Sequence, residues 1–337
     1  MSRNVTTSKR LLSIVEKFRK VRLAVAGDLI ADEFIYGQID RVSREAPVLI
    51  LNYSSTEVVP GGAGNAANNA SALGARVNVI GVTGRDGAGD RLVKVLSERA
   101  DVSGIARVKG LVTPVKTRIL AGGVHSAKQQ VVRIDRAGDR MTPEVIRTVE
   151  RSLIEAVRKA DAIILSDYGA GLITPASWRR VLSAARPKRQ PIVLVDSRYS
   201  LTGFTGITAC TPNESEAEAL LGVRIGDSSG MLERAGRSLM DQLQCKAVLI
   251  TRGSRGMALF ESGRPTDHIP IVGSDQIADV TGAGDTVIAT FALALASGGT
   301  FAEAARLANY AGGLVVMKRG TATVSRDELV AAVRGRS

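Results

Sequence analysis

The stretch Asp279-Val280-Thr281-Gly282-Ala283-Gly284-Asp285, with the apolar run over residues 286–296 behind it, decides how the chain is read. The run predicts a helix, and the three small residues Gly282, Ala283 and Gly284 predict a tight entrance to it. The first backbone N–H groups of a helix lack intrahelical partners, and the helix dipole favours negative charge beside them. Small residues let a phosphate approach those groups closely, so the amides of Gly282, Ala283 and Gly284 are expected to form an anion hole. Asp285, at the start of the same helix, is placed to take the proton from a hydroxyl that attacks a phosphoryl group. The plainer alternative is a turn in which Asp285 only caps the helix.

Working outward, residues 21–26 form a short apolar run ending in Gly27-Asp28, the pattern of a buried parallel strand whose carboxyl end opens onto a site. Strand-like runs at 77–82, 162–165, 192–195 and 247–251 alternate with helix-like stretches such as 143–157. That order predicts an α/β fold, a mostly parallel sheet covered on both faces. Two insertions, about 32–58 and 113–135, carry alternating patterns of exposed strands and are expected to meet as a small β lid. Residues 9–20 place Leu11, Leu12, Val15 and Phe18 at near-helical spacing among basic residues, as in a basic amphipathic helix over 1–20 that either docks on a partner or packs ahead of the first strand. With no repeat and no long linker, residues 1–337 read as a single domain.

Composition removes several classes of function. No run approaches the roughly 18 uncharged apolar residues of a membrane span, and no secretory leader opens the chain, so a cytoplasmic location is expected. Cys210 and Cys245 have no CxxC or Cys/His spacing and read as core positions. With His125 and His268 as its only histidines, the chain is poorly equipped for histidine metal sites or triads. Any metal should be a hard cation on oxygen ligands. The net charge of +12 raises a nucleic-acid reading, but the basic residues are spread along the chain without interleaved aromatics, so no nucleic acid is expected and anionic small substrates account for the charge.

Three further segments carry chemistry. Gly61-Gly62-Ala63-Gly64-Asn65 precedes a helical stretch and contains a GxGxxA pattern, which invites an NAD-dependent oxidoreductase reading. That fingerprint should follow a buried strand directly, whereas Pro60 is expected to interrupt one here, and the Asn65 amide suits sugar hydroxyls better. Thr211-Pro212-Asn213-Glu214-Ser215-Glu216 opens a helix after a short strand; Asn213 or Glu216 would face the strand-end crevice, with Glu216 able to hold Mg²⁺ through water. Thr251-Arg252-Gly253-Ser254-Arg255-Gly256 is a strand end and glycine turn suited to nucleotide contact. Gly-Lys occurs nowhere, so a Walker loop is excluded and the Gly282 to Gly284 turn must hold the phosphates of any ATP.

With GGxGN at 61–65, NxxE at 213–216, TRG at 251–253 and DVTGAGD at 279–285 in this order, the chain resembles the ribokinase-like (PfkB) carbohydrate kinases over roughly residues 20–325. Residues 40–48 (DRVSREAPV) are similar to the corresponding segment of the D-glycero-D-manno-heptose 7-phosphate kinases, as are 115–118, 129–135, 165–168 and 320–325, although Arg44 stands where that subgroup usually has proline. The resemblance implies a Rossmann-type αβα sandwich with a β lid that often joins two copies, ATP and Mg²⁺ as requirements, and in some relatives K⁺, for which Asp279 is the expected side chain. It further implies Asp285 as base, Asp28, Gly61, Gly62 and Asn65 as sugar contacts, and Asn213, Glu216, Thr251, Gly253, Gly256 and Asn309 on the nucleotide side. A substrate already carrying a 7-phosphate needs cations remote from the reacting end, and Arg41, Lys116, Arg118 and Arg133 of the lid insertions are the candidates. The expected product is the 1,7-bisphosphate. Another kinase of the family, acting on a hexose phosphate, fructose, ribose or a nucleoside, is the alternative. Relatives often carry a nucleotidyltransferase domain with an HxGH motif; none occurs here, so the kinase half alone is expected.

Overall fold

The computed structural model describes residues 7–122, 128–187, 189–272, 279–318 and 320–335; His125 lies outside them. The chain enters through α1 (Ser8–Glu16) and β1 (Arg22–Gly27), and β1 passes through Asp28 straight into β2 (Leu29–Val42). A hairpin returns as β3 (Leu49–Gly62), followed by α2 (Ala63–Ala72), β4 (Arg76–Gly84), α3 (Gly87–Ser97) and β5 (Asp101–Val108). A second hairpin, β6 (Val115–Gly122) and β7 (Gln129–Arg136), precedes α4 (Pro143–Lys159), β8 (Ala162–Asp167), α5 (Pro175–Ala185) and β9 (Ile192–Ser197). Then come β10 (Ala209–Cys210), α6 (Glu214–Leu221), α7 (Ser229–Leu243), β11 (Ala247–Thr251), β12 (Met257–Glu261) and β13 (Asp267–Ile269). The last elements are α8 (Ala283–Ala296), α9 (Phe301–Val315) and α10 (Arg326–Arg334).

The main sheet runs β13-β12-β11-β10-β9-β8-β1-β4-β5, parallel except for the antiparallel β11-β12-β13 edge. Its strands read as continuous apolar runs because both faces are covered. In β8, Ala162 and Ile164 pack into one core with α2, α8 and α9, while Ile163 and Leu165 pack into the other with α4, α5 and α7. Helix α8 is apolar all round and buried from Asp285 to Leu295, as an internal helix must be. From β1 the chain moves outward through β4 and β5, then returns to lay β8 on the other side of β1. The order reverses between β1 and β8, which opens a crevice at their carboxyl ends, where Asp28 and Asp167 sit.

The lid is a separate four-stranded sheet, β3-β2-β6-β7. Its two antiparallel hairpins join through a parallel β2/β6 pairing, so it is mixed rather than wholly antiparallel. Pro60 does not break β3, which runs on to Gly62 with Pro60 opposite Ala31. β3 is an edge strand, where a residue without an N–H is tolerated. The N-terminal helix stops at Glu16 and a short 3₁₀ turn (Phe18–Lys20) completes it; Leu11, Ile14, Val15 and Phe18 are buried, with Ile14 rather than Leu12 in the core. Cys210 and Cys245 are both buried and unbridged.

Candidate active site

Gly282 begins α8 with φ 77°, a conformation that favours glycine, and a Cβ there would sit 2.4 Å from Asn65 Nδ2. The Ala283 N–H turns back to Val280 O (3.2 Å), so it leaves the expected set of donors. The N–H groups of Gly282, Gly284 and Asp285 find no acceptor among the described residues. A Cβ at Gly284 would meet nothing within 4 Å, so the entrance is open to an anion. Directly behind it lies the buried carboxylate of Asp285.

Both oxygens of that carboxylate are held. Asn65 Nδ2 donates to Oδ2 at 2.8 Å and the Tyr168 hydroxyl to Oδ1 at 3.2 Å. Asn65 was expected on a sugar hydroxyl; it is instead fully buried and committed to Asp285, because the first turn of α2 packs against the first turn of α8. Its own orientation is fixed by Asn69, whose Nδ2 donates to Asn65 Oδ1 (3.0 Å) and whose Oδ1 accepts from Thr286 Oγ1 (2.9 Å). Burial raises the Asp285 pKa to about 6, against the lowering effect of the Asn65 and Tyr168 hydrogen bonds. The value suits a group that must be ionised at neutral pH yet take up a proton.

Asp28 sits at the end of β1. Its Oδ2 accepts from the backbone of Tyr168 (2.8 Å) and Ala170 (3.1 Å), while Oδ1 is buried with no hydrogen-bond partner among the described residues. Burial lifts this carboxyl to about 6 as well. Gly62, at φ 57°, brings the lid hinge against it: a Cβ there would lie 2.5 Å from Asp28 O, and Ala63 N–H donates to that same oxygen. At Gly61 an added Cβ would press on Asp32 Oδ2.

One face of the lid carries Asp32, Phe34, Lys116, Arg118, Arg133 and Asp135 in cross-strand register. The four expected phosphate anchors differ in their surroundings. Arg118 forms a 2.6 Å ion pair with Asp32, both side chains about one-tenth exposed, and stacks on Phe34. Arg133 is bidentate to Asp135, and Arg41 pairs with its neighbour Asp40 on an exposed part of β2. Lys116 alone of the four has no carboxylate partner among the described residues; it lies 5.5 Å above the Tyr168 ring, and burial lowers its pKa.

On the other side of the crevice, Asn213 and Glu216 form a reciprocal capping box at the start of α6, with bonds of 2.8 and 2.9 Å. Asn213 bridges to Thr251, which brings the NxxE and TRG segments together at the ends of β10 and β11. Gly253 and Gly256 shape the following turn, and Gly256 faces Ile269 O so closely that no side chain fits. Asn309 is buried, donating to Pro270 O at 2.7 Å. Asp279 accepts backbone N–H bonds from Thr281 (2.9 Å) and Gly320 (3.1 Å), fixing the loop that leads into α8.

Asp196 and Arg198, at the end of β9, escape the sequence reading, since nothing in an apolar strand followed by Asp-Ser-Arg marks a site. Burial, then the negative charges of Asp285 and Glu216, push the Asp196 carboxyl to about 8. Among the described residues no three His, Cys, Asp or Glu side chains are close enough to hold a metal unaided. Asp196 and Glu216 nevertheless bring carboxyl oxygens together beside Asp285, a donor set that fits a hard cation completed by water and phosphate oxygens, with the Asp196 proton given up as the ion binds.

The GxGxxA pattern follows lid strand β3 rather than a buried parallel strand, so the site does not have the dinucleotide arrangement. Similarity to known proteins agrees with the kinase geometry. The chain is 39% identical over 327 residues to the bifunctional protein HldE of Geobacter sulfurreducens, covering 96% of this chain, and 40% identical over 327 residues to that of Geobacter metallireducens. It spans 65% of the length of each. Among solved structures, Escherichia coli phosphofructokinase-2 in complex with potassium superposes with a TM-score of 0.74 at 20% identity, over 94% of this chain and 99% of that one. Arabidopsis thaliana ribokinase complexed with ribose and ATP gives 0.69 at 21%, over 93% and 99%. The pattern described as pfkB family carbohydrate kinase matches residues 26–328, and the chain belongs to that family of ATP-dependent sugar kinases.

Proposed function

We propose that the chain phosphorylates the anomeric hydroxyl of D-glycero-D-manno-heptose 7-phosphate with ATP, giving the 1,7-bisphosphate in the cytoplasm. The observation that carries the chemistry is Asp285, a buried carboxylate oriented by Asn65 and Tyr168 immediately behind the open α8 entrance. The choice of sugar is supported by the resemblance of residues 40–48 to the heptose 7-phosphate kinases and by the similarity to the HldE proteins.

In the proposed reaction the O–H bond of the anomeric hydroxyl breaks and its proton passes to Asp285. The sugar oxygen bonds to the γ-phosphorus as the bond from that phosphorus to the bridging oxygen breaks, and ADP leaves. The N–H groups of Gly282, Gly284 and Asp285 receive the charge on the transferring phosphoryl oxygens, the positioning and electrostatic work that dominates such transfers. Asp28, at the carboxyl end of β1, accepts from a sugar hydroxyl. Glu216 and Asp196 would hold Mg²⁺ through water, and the ion would supply charge neutralisation for the nucleotide phosphates. A potassium site beside Asp279 belongs to the same proposal, served by the lone pairs that its two backbone bonds leave spare.

Phosphoryl transfer across a panel of sugars with and without a terminal phosphate tests the substrate. Turnover of heptose 7-phosphate should exceed that of the unphosphorylated heptose by roughly a hundredfold or more in kcat/KM, since a site built around a charged group rejects analogues lacking it. Equal turnover of the two, or a preference for ribose, fructose or a hexose phosphate, overturns the heptose assignment.

A further inference from the structure

The residue after β8 links Asp28, Asp285, the lid and the end of β9. The Tyr168 backbone N–H donates to Asp28 Oδ2 at 2.8 Å, which fixes the main chain beside the sugar-facing carboxylate. Its hydroxyl reaches Asp285 Oδ1 at 3.2 Å, opposite the Asn65 bond to Oδ2, so the plane of the carboxylate is set from two sides. Its ring has Lys116 Nζ of the lid 5.5 Å from the centroid and Arg198 Cζ of the β9 end 5.1 Å from it. These are cation–π distances, and contacts of this kind gain strength as the site loses water.

We infer that Tyr168 is the positioning residue for the base, its hydroxyl aiming the Asp285 carboxylate and its ring, held by Lys116 and Arg198, tying that aim to the seating of the lid. The inference rests on the reading of Asp285 as base and adds to it what fixes the geometry. Asn65 alone leaves the carboxylate one bond about which to swing; two donors on different oxygens remove that freedom, and small misplacements of a reacting group cost rate steeply. The Tyr168 hydroxyl remains a donor throughout the working range, because the neighbouring Asp285 charge, then burial, hold its pKa well above the usual tyrosine value. The other charged groups acting on Asp285 are Asp32 and Lys116 of the lid and Asp196 of β9.

Tyr168→Phe removes the hydroxyl while keeping the ring and both cation contacts. The account expects kcat to fall roughly tenfold or more, as loss of a hydrogen bond to a charged group implies, with the KM for ATP changed by less than about twofold. The acid limb of the kcat/KM profile should move to higher pH, because a bond that favours the ionised carboxylate is gone. Site-specific 3-fluorotyrosine at position 168, a more acidic phenol of nearly the same size, should move that limb the other way and keeps the test available if the phenylalanine variant folds poorly. A limb unmoved by either change, with kcat near wild type, overturns the inference. Asp285→Asn assayed in parallel separates the two ideas: if it stays active, the reading of the base fails, and if it is inactive while Tyr168→Phe behaves as wild type, only the positioning role fails.

Discussion

Asp285 spends stability on reactivity. A carboxyl raised from 3.8 to about 6 by burial is more readily protonated in the folded chain than in the unfolded one. Its favourable contribution is therefore complete below pH 3.8 and is lost as pH rises through about 6. A shift of this size corresponds to a cost on the order of 2–3 kcal/mol above neutrality. Asp285→Asn removes the charge and keeps the shape, so its Tm should exceed that of wild type by a few degrees at pH 8, with little or no gain at pH 4; thermal unfolding at the two pH values checks this, and a lower Tm at pH 8 would contradict it. At this scale the sequence is legible where chemistry leaves a local pattern, as in the glycines at 282 and 284 followed by an acid. It is not legible at Asn65, whose amide serves sugar or carboxylate equally well until the packing of α2 on α8 decides, nor at Asp196, which only the sheet order brings beside Asp285.

Among the elements, the lid shows most clearly how far pattern reading goes. Alternation in β2, β6 and β7 marks exposed strands, and register then puts the charged residues on the face toward the crevice. The parallel β2/β6 pairing joins segments some eighty residues apart and has no local signature. On the other face Val132 and Ile134 are 46% and 54% exposed at the β7 edge, next to Ile119 and Thr117 on β6, while Glu33 of β2 in the same row pairs with Arg91 of α3. An exposed apolar pair on the edge strand of an open sheet is an invitation to a second copy, and we propose a homodimer through the lid. Val132→Lys with Ile134→Lys should convert a dimer to a monomer in sedimentation equilibrium; a wild-type monomer, or a double variant that still dimerises, contradicts it. The basic helix α1 has a simpler fate, since its apolar side is buried and Arg10 pairs with Glu303 at the start of α9, so it packs on its own chain.

For the molecule as a whole, strand and helix alternation was enough to anticipate a covered parallel sheet, because continuous apolar runs such as Ile163 to Leu165 have nowhere else to go. The position of the crevice follows from strand order, not from any one segment: the reversal between β1 and β8 brings Asp28 beside Tyr168, and α8 delivers Asp285 to the same place. Among the described residues no helix is long and apolar enough to cross a membrane. The account stands on the Asp285 carboxylate as proton acceptor at the glycine-lined α8 entrance. Turnover of Asp285→Asn, measured beside its affinity for ATP, tests that most directly. The account predicts a fall in kcat of about 10² to 10⁴, the usual contribution of a positioned base, with ATP binding nearly intact; turnover close to wild type would contradict it.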